Sequence, residues 1–247
     1  NGVFFGATQA TVTGATSTSL TVTVPYGANY QYISVTDLNT NLSAYSAKPF
    51  GVTYPTAVVS VNGFAPANNI IVGTGASILS ASIGDMDKDG LTDLIISDSG
   101  VNLVKVYRNT SVGNNLSFSL SASLSTASVP RNIAVGDLNG DGYLDIVVGT
   151  SGASNIYVYR NTIASVGSLS FTTSLTLATN SQPVSVGIGD LDGDGLPEII
   201  APNYQSSNVS LFRNVSVGNT LAFNPKVDIG VGTNPHYVTI GDIDGDG

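Results

Sequence analysis

The sequence predicts an all-β protein built of repeated four-stranded sheets, and three observations carry that expectation. Four aspartate-rich segments recur at a near-fixed spacing, their first aspartates 52, 53 and 52 residues apart. Short apolar, β-branched runs bounded by glycine flank these segments. Charged residues make up only 10 % of the chain, with Ser, Thr, Asn, Gly and Val abundant, a composition suited to strands with uncharged polar surfaces. A fixed period of this length marks a repeat architecture.

Each period reads as four strands. The first runs into the acidic segment through Gly-Asp, at Gly84, Gly136, Gly189 and Gly241. The second follows it, as in Leu94-Ile95-Ile96 and Ile146-Val147-Val148. The third reads LVKVY from Leu103, IYVY from Ile156 and VSLF from Val209. The fourth alternates, most clearly in SFSLSASLS from Ser117, where Phe118, Leu120, Ala122 and Leu124 face one way and the serines the other. Inner strands that are apolar on both faces belong in sheets packed between neighbours. The repeats are framed at about 64–116, 117–169, 170–221 and a shortened 222–247. Four strands in such a period is the size of one propeller blade. An Arg-Asn pair follows the third strand at Arg108-Asn109, Arg160-Asn161 and Arg213-Asn214. A pair repeated in every blade is read as serving blade geometry, against the alternative of ligand contact.

The acidic segments are DMDKDGLTD from Asp85, DLNGDGYLD from Asp137, DLDGDGLPE from Asp190 and DIDGDG from Asp242. Calcium takes six to eight oxygen ligands, and alternating carboxylates on a tight loop supply them. Positions 1, 3 and 5 point inward: Asp85, Asp87 and Asp89; Asp137, Asn139 and Asp141; Asp190, Asp192 and Asp194; Asp242, Asp244 and Asp246. The glycine at position 6 allows the turn. Position 7 gives a backbone carbonyl, from Leu91, Tyr143 and Leu196, and position 9 a carboxylate, from Asp93, Asp145 and Glu198. Asn139 brings a neutral oxygen, so the second site is expected to be weaker. Plain hairpin turns are disfavoured, because three or four like charges in nine residues repel without a cation. Magnesium is disfavoured by its demand for a tight, hydrated octahedron, and an EF-hand by strand-like flanks.

The net charge is −9, and 14 of the 17 acidic residues lie in the four loops. The acidity is therefore local, and bound divalent ions would offset most of it. Eight Lys and Arg in an acidic chain argue against nucleic acid. Without cysteine, and with His236 the single histidine, the chain excludes a disulfide scaffold and a Cys/His zinc site. No apolar run is long enough for a membrane-spanning helix. The chain begins without methionine and stops inside a repeat, and is read as a fragment of a longer protein.

The repeats resemble the FG-GAP/VCBS family, which includes the propeller of integrin α-subunits. IGDMDKDGLTD, VGDLNGDGYLD, IGDLDGDGLPE and IGDIDGDG carry the resemblance, three of them followed by apolar strands and a Tyr/Phe-Arg-Asn ending. It covers residues 64–247. It implies a seven-bladed propeller, of which about three and a half blades are present, with calcium bracing the hairpin between the first two strands of a blade. The first 56 residues differ. They lack acidic loops, and short β runs (Val3-Phe4-Phe5-Gly6, Ser19 to Val24, Ile33-Ser34-Val35) alternate with polar turns. VFFGATQATVTGATSTSLTVTVP and ISVTDLNTNLSAYSAKPFGVTY resemble the later strands of a TIG/IPT immunoglobulin-like domain, implying a partial β-sandwich at residues 1–56. The boundary is set near Tyr54-Pro55-Thr56, where proline interrupts the strand pattern.

Catalysis finds little support. The carboxylates are committed to the loops and no G-x-S-x-G elbow is present. His236 has Leu79, Arg131 and Val184 as repeat equivalents, none able to share a base's role. Asn-x-Ser/Thr triplets at Asn41, Asn109 and Asn214 are expected by chance in this composition. The reading is a non-enzymatic, calcium-binding adhesion or recognition module, secreted or on a cell surface, taking a glycan or protein ligand. Calcium loops of this kind suit the extracellular concentration range, and the lack of cysteine points towards a bacterial source. The alternative is an accessory or substrate-binding region of a secreted, polysaccharide-active enzyme, since fold alone does not assign function.

Overall fold

A computed structural model describes residues 2–5, 8–24, 33–37, 42–46, 70, 72–73, 75–113, 115–163, 165, 167–172 and 175–241. All regular structure among them is β. No helix among the described residues is long and apolar enough to cross a membrane. The chain divides into two compact units, Asn1–Ala67 and Asn68–Gly247. The boundary read from sequence at residues 54–56 lies outside the described residues.

The first unit is a five-stranded antiparallel sheet. Its strands are β1 (Gly2–Phe5), β2 (Thr8–Ala15), β3 (Leu20–Thr23), β4 (Ile33–Asp37) and β5 (Leu42–Tyr45), in the order β3-β2-β1-β4-β5. Val3 and Ala10 are its buried centre, with Val12, Leu20, Val22, Ile33 and Val35 packed around them. Alternation of apolar and threonine residues in β2 and β3 gives one buried and one wet face. The described strands form this one sheet, and a second layer of a sandwich is not among them.

The second unit holds three four-stranded antiparallel sheets, each in sequence order. The first comprises β6 (Ile78–Gly84), β7 (Asp93–Asp98), β8 (Leu103–Asn109) and β9 (Phe118–Ser125). The second comprises β10 (Pro130–Gly136), β11 (Asp145–Thr150), β12 (Asn155–Tyr159) and β13 (Leu175–Ala178). The third comprises β14 (Gly187–Gly189), β15 (Glu198–Asn203), β16 (Asn208–Phe212) and β17 (Val227–Gly230). Phe118–Ser125 therefore closes the first sheet by pairing with β8, across the repeat frame that starts a new repeat at Ser117. Ala122 and Leu124 turn inward as their alternation predicts. Leu120 is exposed, at an irregularity where the pairing shifts register.

The sheets stack face to face like blades. β10 lies against β6 and β7 on one side and against β14 on the other. The middle sheet shows the period-2 logic most clearly. Ile146, Val148, Tyr157 and Tyr159 enter the core shared with the first sheet, beside Met86, Ile95, Val104 and Val106. Val147, Ile156 and Val158 enter the core shared with the third, beside Val186, Ile199 and Phe212. Every residue of β11 is buried, which explains why this strand reads as a continuous apolar run. Tight stacking also explains the glycine before each of the first three loops. A Cβ on Gly84 would sit 2.6 Å from Leu144 Cδ1 in the next sheet, and one on Gly189 2.8 Å from Ile240 Cγ2.

Candidate metal centre

Each of the three described acidic loops joins the first strand of a sheet to the second, and antiparallel pairing clamps both its ends: Gly84 with Asp93, Gly136 with Asp145, Gly189 with Glu198. The turn places positions 4 and 6 in the left-handed region. Gly140, Gly142, Gly193 and Gly195 occupy those positions in the second and third loops, but the first has Lys88 at φ 58° before Gly90. The Lys88 ammonium lies over the Tyr143 ring of the following loop, 4.1 Å from its centre, a cation–π contact that ties neighbouring loops together.

Three kinds of side-chain bond to this turn recur in the three described loops, while the position-4 N–H bonds to position 1 in the second and third alone. The position-1 carboxylate accepts the position-6 N–H, from Gly90 to Asp85 at 2.9 Å, Gly142 to Asp137 at 2.6 Å and Gly195 to Asp190 at 2.9 Å. Position 5 accepts the position-7 N–H: Leu91 to Asp89, Tyr143 to Asp141 and Leu196 to Asp194, at 2.8–2.9 Å. Position 9 accepts two backbone N–H bonds, one per oxygen. The donors are Met86 and Asn109 for Asp93, Leu138 and Asn161 for Asp145, and Leu191 and Asn214 for Glu198.

In the first loop Asp85, Asp87 and Asp93 bring one oxygen each within 4.8 Å of one another, and Asp87 and Asp93 are buried. In the third, Asp190, Asp192 and Asp194 converge in the same way but are exposed. Asp85 Oδ1 is buried and has no hydrogen-bond partner, the state of an oxygen suited to a cation. Asp89 is turned away from the first cluster, and Glu198 is not in the third. The second loop has no cluster of three carboxylates among the described residues. There the Asn139 amide donates to Asp141 Oδ2 at 2.9 Å. Asp242, Asp244 and Asp246 lie outside the described residues.

Burial raises the Asp145 carboxyl to about 6, against the bonds from Asn161 and Leu138, with the charges of Asp141 and Asp137 adding to the rise. Burial likewise raises Asp93, again against its backbone bonds, and Asp87 and Asp89 add to it. Each raised carboxyl lies in a pocket of negative charge, where a hard, doubly charged cation with oxygen ligands fits the donor set.

The Arg-Asn pair serves the loops directly. Arg108 donates from Nε to Asp87 and from a terminal nitrogen to Asp89, both at 2.5 Å. Arg213 repeats the fork on Asp192 and Asp194, at 2.7 and 3.4 Å. These guanidinium groups relieve part of the like-charge repulsion that the sequence assigns wholly to a metal. Arg160 breaks the pattern. Asn139 removes its carboxylate partner, and Arg160 donates instead to the Asn219 carbonyl, its Nε buried without a partner. The asparagines hold the loops down. Asn161 Nδ2 donates to Leu144 O at 3.2 Å and to Met86 O of the preceding loop at 2.8 Å. Asn214 does the same with Pro197 O at 2.8 Å and Leu138 O at 2.7 Å. The sequence reading missed this stitching between sheets, although the recurrence of Arg-Asn signalled a structural role.

The model of the FG-GAP-like repeat matches residues 85–148 and 137–201. Each match opens on the first aspartate of one loop and ends in the second strand of the next sheet, so it spans a loop and the stacking contact just described. The chain thus carries two FG-GAP-like repeats. Comparison with curated proteins finds no match.

Proposed function

We propose that this chain is a non-enzymatic, extracellular recognition module whose propeller blades are braced by calcium. The observation that carries the reading is the first loop: three carboxylates converge there, and a buried oxygen of Asp85 lacks any partner. Asp85, Asp87 and Asp93 would hold the ion in that loop, and Asp190, Asp192 and Asp194 in the third. Asp137, Asn139, Asp141 and Asp145 would form a weaker site. Calcium supplies charge neutralisation there and no bond-making chemistry. Bracing matters because Met86 and Leu138, at position 2 of their loops, are fully buried in the cores between sheets. Ordering a loop therefore orders an interface between blades. By this reading the sheets belong to a seven-bladed ring, the first unit is an immunoglobulin-like spacer, and the ligand is an extracellular glycan or protein.

Terbium luminescence tests the metal site, because Tyr143 stands at position 7 of the second loop and the chain has no tryptophan. Tyrosine-sensitised emission that calcium displaces supports the reading. Emission that calcium leaves unchanged contradicts it. A glycan array probed with calcium and with chelator tests recognition: calcium-dependent capture is expected, and hydrolysis of an arrayed glycan would contradict the non-enzymatic assignment.

A further inference from the structure

Leu79, Arg131, Val184 and His236 each stand six residues before the first aspartate of their repeat. All four line one pocket, of about 130 Å³, together with Ser80, Asn132 and Tyr237. Repeat-equivalent residues converge in this way only where the first strands of successive sheets approach one another. Six residues of strand span roughly 20 Å, so the pocket lies at the far end of those strands from the acidic loops. It shares no residue with them.

Two of the lining segments are irregular. Strand pairing shifts register between Ile78 and Ser80 and again between Pro130 and Ile133, and such bulges re-aim the side chains they carry. The second one carries Arg131 and Asn132. Arg131 backbone O accepts Ser97 Oγ at 2.8 Å, and Asn132 Oδ1 accepts Ser185 Oγ at 3.3 Å and Val186 N at 3.1 Å. The bulge is therefore pinned to its own sheet's neighbours on both sides.

The charge of the pocket runs against that of the chain. No Asp or Glu lines it. Four of the described Lys and Arg side chains form ion pairs with carboxylates, namely Lys105, Arg108, Arg213 and Lys226. Arg131 has no ion pair among the described residues, and its Nε is buried without a hydrogen-bond partner. The side chain is thus held against the pocket wall with its positive charge uncompensated, and an anion in the pocket would supply the missing counter-charge. Beside it, His236 packs edge-on against Tyr204 with ring centres 4.7 Å apart, and Tyr237 is 78 % exposed. A planar fork of donors matches a carboxylate. An uncovered tyrosine offers an amphipathic face to the ring of a sugar.

We infer that this pocket binds a carboxylate-bearing saccharide unit of the uronic acid class, with Arg131 taking the carboxylate and Tyr237 the sugar face. The choice of a saccharide rests on the recognition reading above; the site itself is independent of calcium.

The test is calorimetric titration of the full chain with glucuronate, glucose and acetate, in calcium and in chelator. Glucuronate should bind, and both glucose and acetate should bind more weakly. Arg131→Gln should weaken glucuronate roughly tenfold or more, with a melting curve like the parent's. Tyr237→Ala, a change at an exposed side chain, should weaken glucuronate but not acetate. Arg160→Gln, at the other guanidinium whose Nε lacks a partner, should leave binding unchanged. Absence of glucuronate binding, or equal binding by Arg131→Gln, would overturn the site. Acetate binding as tightly as glucuronate would overturn the saccharide assignment. None of these failures bears on the metal loops, whose terbium signal is read separately.

Discussion

The first and second acidic loops share a turn, the bonds to their position-5, position-6 and position-9 partners and a position in their sheets, yet Asp137 Oδ1 accepts the Gly140 N–H where Asp85 Oδ1 has no partner, and the two loops handle charge differently. In the first, Asp87 and Asp89 share the Arg108 guanidinium, and Asp85, Asp87 and Asp93 converge. In the second, one carboxylate has become Asn139, whose amide caps Asp141, and Arg160 has left for the Asn219 carbonyl. Where the amide stands in place of the carboxylate, the guanidinium bonds to a carbonyl beyond its own loop. The hairpin frame is common to the three described loops, whereas the pairing of the acidic side chains differs from loop to loop.

The largest expected effect probes what the loops share. Asn161→Ala removes three side-chain hydrogen bonds, the one to Met86 O buried, and strands the Met86 and Leu144 carbonyls and the Ile163 N–H, so it should cost about 2–4 kcal/mol in denaturant unfolding. Asn109→Ala, whose Nδ2 donates to Thr92 O and to no carbonyl of another sheet among the described residues, should cost clearly less. Equal losses would break the claim that this asparagine stitches sheets.

The arginine fork should scale with burial. Arg108→Gln, with its partner Asp87 fully buried, should lower calcium-free stability by about 1–3 kcal/mol. Arg213 and its partners are more than a third exposed, so solvent screens the pair and Arg213→Gln should change stability clearly less than Arg108→Gln. The reverse order, in thermal melts with chelator, would contradict the charge-relief role.

Restoring the missing carboxylate sharpens the comparison further. Asn139→Asp should raise the calcium affinity of the second loop roughly tenfold, since ligand charge tunes such sites, and terbium emission sensitised by Tyr143 reads it. No change in affinity would mean that position 3 does not face the ion.

A smaller effect lies in pH. The Asp145 carboxyl is raised by burial to about 6 in the folded chain, from an ordinary value of 3.8. The folded state therefore binds the proton more tightly, and stability rises as pH falls from about 6 to about 4. Asp98 acts at lower pH. Burial pushes its carboxyl up, but its bonds to Lys105 and the Ser77 N–H outweigh this and leave it lowered, so its contribution is lost only as pH falls through that lowered value. Calcium-free melting temperature should climb between pH 7 and 5, and saturating calcium should flatten the climb. A calcium-free melting temperature that falls over this range would contradict the burial of Asp145.

Most of the repeat was legible in the sequence because its signals are local. Spacing of aspartates, glycine before each loop and apolar runs around it all translate directly into hairpins. Stacking was legible too, from strands such as β11 with no polar face. The first unit was legible as short strands, at Val3-Phe4-Phe5, Leu20–Thr23 and Ile33-Ser34-Val35. Its pairing order was not, since polar-turn-polar sequence leaves register weakly specified. At the loops, the candidate ligands were visible but their convergence was not. Whether Asp89 turns to a metal or to Arg108 depends on a residue nineteen positions away, and period counting carries no such information. The pocket around Arg131 was equally hidden. His236 and its equivalents look unrelated as Leu, Arg and Val, and only the stacking of first strands gathers them.

Calcium titration of the full chain, by calorimetry with melting curves in calcium and in chelator, tests the central claim most directly. Binding should be saturable and tighter at the first and third loops than at the second, with a rise in melting temperature that chelator reverses. Absence of both heat and thermal shift would leave the loops as acidic turns held by Arg108 and Arg213, and would contradict the calcium-braced module.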